Sequence, residues 1–152
     1  MSSVKVNLTG LKDLQKALAD ANNANLQVGW FESAKYDDNT PVAGVAAVQE
    51  FGIGKIPPRP FFRPTVEEKQ SAWSDLVAGG LKAMLDGQAS ASDVMNGLGL
   101  AVQADVKNAI ASNDHLALSP ATIAVRRAKG NTNTDPLRDS GVMLATLTYE
   151  VN

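Results

Sequence analysis

The chain has 152 residues, no cysteine, and a formal net charge of −2 from 14 lysines and arginines against 16 aspartates and glutamates. Its 44% hydrophobic and 20% charged residues are typical of one globular domain, and the lack of cysteine excludes a disulfide framework, thiol catalysis and cysteine-based zinc sites. No apolar run approaches the roughly 18 residues of a membrane span, and the first residues lack a signal-peptide core, so we expect no membrane partner and folding in the cytoplasm.

Alternating apolar and polar residues predict three strands, near residues 3–8, 25–31 and 144–151. In each of them every second residue is apolar, which is the spacing of a strand with one buried face. Between the first two strands, residues 11–22 carry leucines at helical spacing and predict a helix. The beginning of the chain is therefore expected to be β-α-β.

Two long helices are predicted, over about residues 65–86 and 92–112. Thr65 and Glu68 form the T-x-x-E pattern of a capping box at the start of the first helix. Ser92 is a favoured N-cap residue and is expected to begin the second.

Two glycines lie inside the second long helix, Gly97 and Gly99. Each costs a helix about 1 kcal/mol relative to alanine, so their presence needs a structural reason. We expect a neighbouring backbone to approach the helix closely at these positions.

Short helices complete the set of predicted elements. Pro41 suits the first turn of one, over the sequence VAGVAAVQEF, and Ser119 with Pro120 begins another that ends at Gly130. Together the elements predict an α+β fold over residues 1–152, in which a small mixed sheet packs with two long helices.

Residues 52–64, GIGKIPPRPFFRP, suit neither a helix nor a strand. Because each proline fixes its own φ and extends the residue before it, the stretch predicts a stiff, polyproline-like arm. Phe61 and Phe62 would then point to opposite sides of the arm, one anchoring it to its own domain and the other left for a partner. Alternatively, both are plugs buried by the helix that follows, and the sequence leaves these two interpretations even.

Catalytic and metal-binding patterns such as G-x-S-x-G, H-E-x-x-H, a P-loop or a dinucleotide fingerprint do not occur. His115 lies in a polar loop and is expected to be solvated, without a positioned partner for acid–base chemistry. Asp37 and Asp38 lack the ligand spacing of a calcium loop, which favours a solvated turn. We therefore expect a protein that is not an enzyme and has no cofactor or metal.

Two segments, 55–63 and 126–138, are rich in cations although the whole chain is mildly acidic. Such segments could face phosphate backbones. The preferred interpretation is that they pair with carboxylates of a neighbouring subunit or are solvated. The cations concerned are Lys55, Arg59, Arg63, Arg126, Arg127, Lys129 and Arg138.

Two blocks of sequence carry a resemblance to a known family. AAVQEFGIGKIPPRPFFRPTVEE contains an E-F-G and then an I-P-x-R-P-F-F-R-P pattern, and LSPATIAVRRAKGNTNTDPLRDSGVMLATLTYEV contains L-S-x-x-T-I and then P-L-x-D-(S/T)-G-x-(M/L). In this order and spacing they resemble tail-completion or neck proteins of tailed phages and the related virion-morphogenesis proteins of Mu-like phages. The insertion GIGK, which lengthens the link between E-F-G and the prolines, departs from the pattern. The matching positions are Glu50, Phe51, Gly52, Pro58, Arg59, Pro60, Phe61, Phe62, Arg63, Leu118, Ser119, Thr122, Ile123, Pro136, Leu137, Asp139, Ser140 and Gly141.

The resemblance implies a structural virion protein, located in the neck or tail and, during assembly, in the host cytoplasm. It implies a ring, a hexamer in preference to a dodecamer, that joins the tail to the head connector. The implied partners are other copies of the chain, head-connector, adaptor or stopper proteins, and a tail-terminator or tail-tube protein, with weak contact to channel DNA. The alternative is a small DNA-binding accessory protein that uses the arginine-rich segments 55–63 and 126–138.

Interaction residues are expected in both blocks. In the arm they are Glu50, Phe51, Lys55, Pro58, Arg59, Pro60, Phe61, Phe62 and Arg63. In the C-terminal block they are Arg126, Arg127, Lys129 and Arg138.

Overall fold

The structure, a computed structural model, describes residues 9–112 and 114–152. These residues form a mixed α and β fold, as the sequence predicts, and the predicted strand near residues 3–8 lies outside them. The described elements, in chain order, are α1 (Thr9–Asn23), β1 (Leu26–Gly29), α2 (Val42–Phe51), α3 (Phe62–Leu85), α4 (Ala91–Ala111), α5 (Pro120–Ala128), α6 (Val142–Thr146) and β2 (Thr148–Val151).

The two strands pair antiparallel, with Leu26 opposite Val151 and Gly29 opposite Thr148. The prediction of strand near 25–31 is confirmed in its centre. The prediction near 144–151 is wrong at its beginning, because the chain up to Thr146 is helical. This single helical turn buries Met143, whose carbonyl oxygen accepts a hydrogen bond of 2.8 Å from the Trp30 indole, and a strand would not place both groups in the core.

Helix α4 lies between α3 on one side and the two strands on the other, while α2 packs on α6. The buried residues of α4 recur on one helical face, as their apolar spacing in the sequence indicates. They include Val94, Val102, Val106 and Ile110. The two long helices therefore pack on each other, and α4 carries the contact with the sheet.

The N-terminal cap of α4 is Ser90, two residues before the predicted Ser92. The Ser90 hydroxyl accepts a hydrogen bond of 3.2 Å from the backbone N–H of Asp93, and the Asp93 carboxylate accepts one of 2.8 Å from the backbone N–H of Ser90. This reciprocal arrangement is a capping box with aspartate in the place of glutamate.

Helix α3 begins at Phe62, three residues earlier than predicted. Thr65 lies inside its first turn, where its hydroxyl donates a hydrogen bond of 2.6 Å to the carbonyl oxygen of Phe61. The predicted capping box of Thr65 with Glu68 is therefore not formed. Pro64 is accommodated because the first N–H groups of a helix have no intrahelical partner to lose.

Gly99 faces the aromatic ring of Tyr149 on β2, and a Cβ added there would lie 2.7 Å from the Tyr149 Cγ atom. The expected close approach is thus confirmed at Gly99, although the neighbouring group is the Tyr149 ring and not a backbone. No atom comes within 4 Å of the corresponding position at Gly97.

This contrast predicts opposite effects of the same substitution at two neighbouring glycines. Gly99→Ala is expected to lower the free energy of unfolding by about 1 to 2 kcal/mol, because the overlap with Tyr149 exceeds the gain in helix propensity. Gly97→Ala is expected to raise it by about 0.5 to 1 kcal/mol. Urea denaturation of the two variants tests this, and shifts of equal sign would contradict it.

A single hydrophobic core joins α2, α4, α6 and the residues that lead into α3 and α6. Phe61 is 2% exposed and meets Trp30 edge to face, with ring centres 5.9 Å apart. The core residues are Val42, Ala46, Phe61, Val102, Val106, Ile110, Leu137, Met143 and Leu147.

Candidate functional site

Residues 52–61, called here the proline loop, fold back on their own domain, so the predicted extended arm is wrong. Ile53 and Ile56 bridge each other through two backbone hydrogen bonds of 3.1 and 2.9 Å. Gly52 begins this reversal at φ 72°, where a Cβ would lie 2.9 Å from the Ile56 carbonyl oxygen. The proline rules constrain local φ angles, but the glycines supply the turn that brings the segment back.

Phe61 and Phe62 both pack against the core, which contradicts the prediction that they point to opposite sides. They stand at the start of α3, where consecutive side chains are separated by about 100° instead of 180°. Of the two interpretations left open by the sequence, the buried plug is correct for Phe61, whereas Phe62 packs against the core and is half-buried.

Phe51 is the phenylalanine of this region that remains exposed. It is 63% exposed, and the Arg63 guanidinium lies over its ring, 4.6 Å from the ring centre. Ile53 and Ile56 are 62% and 41% exposed on the adjoining proline loop. Phe51, Ile53 and Ile56, called here the apolar ridge, form an exposed apolar surface beside the prolines.

Glu50, at the end of α2, caps α3 from outside that helix. Its carboxylate accepts hydrogen bonds from three successive backbone N–H groups, those of Phe61 at 2.8 Å, Phe62 at 2.9 Å and Arg63 at 3.1 Å. The Arg63 side chain adds a charged hydrogen bond of 2.9 Å. One buried carboxylate thus satisfies N–H groups that a local cap would otherwise have to satisfy.

The electrostatics of Glu50 follow from these contacts. Burial alone would raise the pKa of the carboxyl, since it penalises the charged form. The hydrogen bonds from the backbone of Phe62 and Phe61 and from Arg63 outweigh burial and hold the pKa below its ordinary value. Glu50 is therefore ionised at neutral pH.

Arg59 joins the first sequence block to the residues just before the second. It is 6% exposed, and its guanidinium donates hydrogen bonds of 2.7 Å to the carbonyl oxygen of Leu116 and 3.2 Å to that of Ala117. Its backbone N–H donates one of 2.7 Å to the carbonyl oxygen of Gln49. Arg59 thus ties the proline loop to the segment that leads into α5.

Arg126, on α5, organises the loop that follows this helix. It is 8% exposed, and its guanidinium donates to the carbonyl oxygens of Asn133 at 3.2 Å and Asp135 at 2.9 Å. The Arg126 Nε atom lies 3.2 Å from a carboxylate oxygen of Asp139. Because the Arg126 guanidinium is buried in these contacts, it does not act as a surface cation.

The loop NTNTD is ordered by its own side chains. The Asn131 side-chain oxygen accepts a hydrogen bond from the backbone N–H of Asn133, and the Asn133 side-chain oxygen accepts one from that of Asp135. These are two successive Asx turns. The spacing N-x-N-x-D was the signal available in the sequence, since Asx side chains bond the N–H group two residues on.

A groove of about 870 Å³ lies between the proline loop and α5. Ile56 and Pro57 line it from the first block and Leu118 and Val125 from the second, and Arg59 contacts Leu116 just before the second block. The two blocks that carry the family resemblance therefore meet in space.

The remaining predicted cations differ in exposure and pairing. Arg63 pairs with Glu50 at 2.9 Å, and Arg138 lies 3.2 Å from the Asp135 carboxylate. Lys55, Arg127 and Lys129 are exposed and have no ion pair within the described residues. Pro58 and Pro60 are exposed beside them.

Buried or paired arginines weaken the alternative of a DNA-binding surface. Of the arginines that this alternative needs, Arg59 and Arg126 are buried on backbone carbonyls. A phosphate backbone could meet only the outer cations, and fewer neutralised phosphates mean weaker binding with a shallower salt dependence.

The other predicted polar sites have ordinary structural roles. Asp38 lies in a turn, as predicted, and its carboxylate accepts a hydrogen bond of 3.0 Å from the backbone N–H of Thr40. His115 is half-buried, and its Nε2 atom lies 2.7 Å from the carbonyl oxygen of Ala109 near the end of α4, so it is less solvated than predicted. In residues 9–112 and 114–152, no group of three or more acidic, histidine or cysteine side chains could hold a metal ion. No helix there is long and apolar enough to cross a membrane.

Comparison with known proteins found no match to a family model, to a curated protein or to a solved structure. The two sequence blocks and the geometry around the proline loop are therefore the features that bear on function.

Proposed function

We propose that this chain is a structural virion protein of a tailed bacteriophage, a ring-forming neck or tail-completion component without catalytic activity. The observation that carries the proposal is the apolar ridge, which the family-like block presents at its surface while Phe61 is buried and Phe62 half-buried. The sequence resemblance supplies the family, and the ridge supplies a surface suited to assembly.

The ridge has the properties of a protein interface. Phe51 ends α2, Ile53 and Ile56 stand on the turn that follows, which backbone hydrogen bonds hold in place, and Arg63 covers the Phe51 ring. Aromatic residues and arginine are enriched at interface centres, and a fixed loop loses little entropy on docking. Contacts between unlike surfaces of identical subunits close into rings when the rotation between subunits allows it.

The proposed partners are other copies of the chain, in a hexamer in preference to a dodecamer, together with a head-connector, adaptor or stopper protein and a tail-terminator or tail-tube protein. The proposed location is the virion neck or tail, with assembly in the host cytoplasm. Contact with channel DNA would be weak and would involve Lys55, Arg127 and Lys129, which are exposed.

Ile53→Asp tests the ridge as an assembly surface. The substitution puts a charge on an exposed side chain, so the fold should be retained while a contact that buries the ridge is lost. We expect self-association to weaken by about tenfold or more, measured as the mass distribution by light scattering over a concentration series. Leu85→Asp is the matched control, since Leu85 is 59% exposed on α3 and distant from the ridge in sequence.

The proposal would be contradicted if the wild-type chain stayed monomeric at high concentration and bound neither connector nor tail-tube proteins from the same phage. If it instead shifted DNA at low salt, with affinity falling steeply as salt rises, the DNA-binding alternative would replace the proposal.

A further inference from the structure

Arg59 is a buried charge without an acidic partner. It is 6% exposed, and no carboxylate within the described residues forms an ion pair with it. Its side chain donates to the backbone carbonyls of Leu116 and Ala117 and, at 3.4 Å, to the side-chain oxygen of Gln49. All three acceptors are neutral, so the positive charge of Arg59 is hydrogen-bonded but not compensated.

A second buried guanidinium increases this excess of positive charge. Burial and the nearby charge of Arg126 lower the pKa of Arg59 from its ordinary value. Arg126 has a carboxylate partner in Asp139. The Asp139 side chain is 63% exposed, so solvent screens its negative charge. Burying charge without a counter-ion is costly, and an incoming anion would offset this cost.

Both guanidiniums line the groove between the proline loop and α5. A guanidinium has five N–H donors. The Arg59 side chain makes three hydrogen bonds, so two of its N–H donors have no partner in the described residues. Exposed apolar side chains, Ile56 at 41%, Leu116 at 58% and Val125 at 57%, stand on the walls. The groove therefore combines a cationic floor with apolar walls.

We propose that this groove binds an acidic, apolar peptide segment of a partner protein, with one carboxylate on Arg59 and flanking apolar side chains on Ile56, Leu116 and Val125. A carboxylate matches the two free donors of a guanidinium in planar, charge-assisted hydrogen bonds. The apolar walls bury the neighbouring side chains and give the affinity that one ion pair would not supply.

The rim of the groove favours a peptide over a nucleic acid. Three acids, Asp37, Asp38 and Asp139, line it together with the exposed cations Lys55 and Lys129. This mixture of signs gives no continuous cationic track for a polyanion, which carries a charge on every nucleotide, whereas a peptide needs to bring only a single carboxylate to Arg59. The inference concerns the ligand of the groove and does not depend on the chain forming a ring.

The test is a titration of the full chain, labelled with ¹⁵N, with two blocked tripeptides. N-acetyl-leucyl-aspartyl-leucyl-amide is expected to shift the side-chain N–H signal of Arg59 and the backbone signals of Leu116 and Ala117, with a Kd on the order of 1 mM. The matched asparaginyl tripeptide lacks the negative charge, and its affinity should be lower by at least about tenfold. Arg59→Gln identifies the Arg59 signal by its loss.

Two variants separate binding from folding, because Arg59→Gln removes structural hydrogen bonds as well. Val125→Glu places a negative charge on an exposed groove wall and is expected to weaken binding of the aspartyl peptide by about tenfold. Leu100→Glu is the matched control, since Leu100 is equally exposed, at 57%, and does not line the groove. It should leave binding unchanged.

Four results would overturn the proposal. The aspartyl and asparaginyl tripeptides could bind equally, or neither could move the Arg59 signal. Sodium acetate could match the aspartyl peptide in affinity, which would make the groove a simple anion site. A short DNA duplex could shift the same signals more tightly than the peptide, which would assign the groove to phosphate.

Discussion

Phe61→Ala is expected to lower the free energy of unfolding by about 3 to 5 kcal/mol. The phenyl ring is 2% exposed and meets Trp30 edge to face, so its removal leaves a cavity and removes an aromatic pair. A domain of this size has a free energy of unfolding of about 5 to 15 kcal/mol, so the variant loses a large part of it. Urea denaturation followed by tryptophan fluorescence measures the loss.

Phe51→Ala is the matched control for this substitution. Phe51 is 63% exposed, and its loss should change stability by no more than about 0.5 kcal/mol. If the two alanine variants were equally destabilised, the assignment of Phe61 to the core and Phe51 to the surface would be wrong.

Glu50→Gln is expected to lower the free energy of unfolding by about 2 to 3 kcal/mol at neutral pH, since hydrogen bonds to charged groups contribute more than neutral ones. The amide keeps the shape of the side chain but has one acceptor oxygen, whereas the carboxylate uses both, on Phe61 and Phe62 and on Arg63. The charge that favours the N-terminus of α3 is lost as well. The same urea denaturation detects the change.

The dependence on pH distinguishes this role of Glu50 from simple packing. The pKa of the carboxyl is lowered in the folded chain from an ordinary value of 4.5, so its contribution is complete above that pH and is lost as the pH falls through the folded pKa. The stability difference between wild type and Glu50→Gln should therefore be constant from about pH 7 to 5 and shrink in more acid solution. A difference that persists in acid would contradict the mechanism.

Glu68→Gln is the control for charge in the same helix. Glu68 is 71% exposed on its side chain and pairs with Lys69 at the surface. Surface pairs of this kind contribute about 0 to 1 kcal/mol, so the variant should stay close to wild type at every pH.

Most helices were predictable because their signals are local. Apolar spacing fixes the inward face of α4 at Val102, Val106 and Ile110, and Ser119 caps α5 as predicted, accepting a hydrogen bond of 3.2 Å from the backbone N–H of Thr122. The strand ending at Val151 was also predicted, but its beginning was placed at residue 144, inside the helical turn that ends at Thr146. Five residues are too few for a helical period to emerge from the sequence.

The roles of Glu50 and Arg59 could not be predicted, because both depend on groups distant in sequence. Glu50 caps a helix that begins 12 residues later, and Arg59 binds carbonyl groups 57 and 58 residues away. In the sequence, both look like members of a charged, solvated segment. Their burial is decided by tertiary contacts, which periodicity and turn rules do not describe.

The carboxylate of Glu50 also closes the chain segment between α2 and α3 like a clasp, because it sits at one end and holds the other. Between these ends, the exposed tip of the segment can vary, since doubling the length of a closed loop costs only about 0.6 kcal/mol. Ile53 to Ile56, at the tip, contribute to surface and not to the core. The fold thus provides a grafting position, where a new tip sequence could change the choice of partner while the clasp preserves the domain.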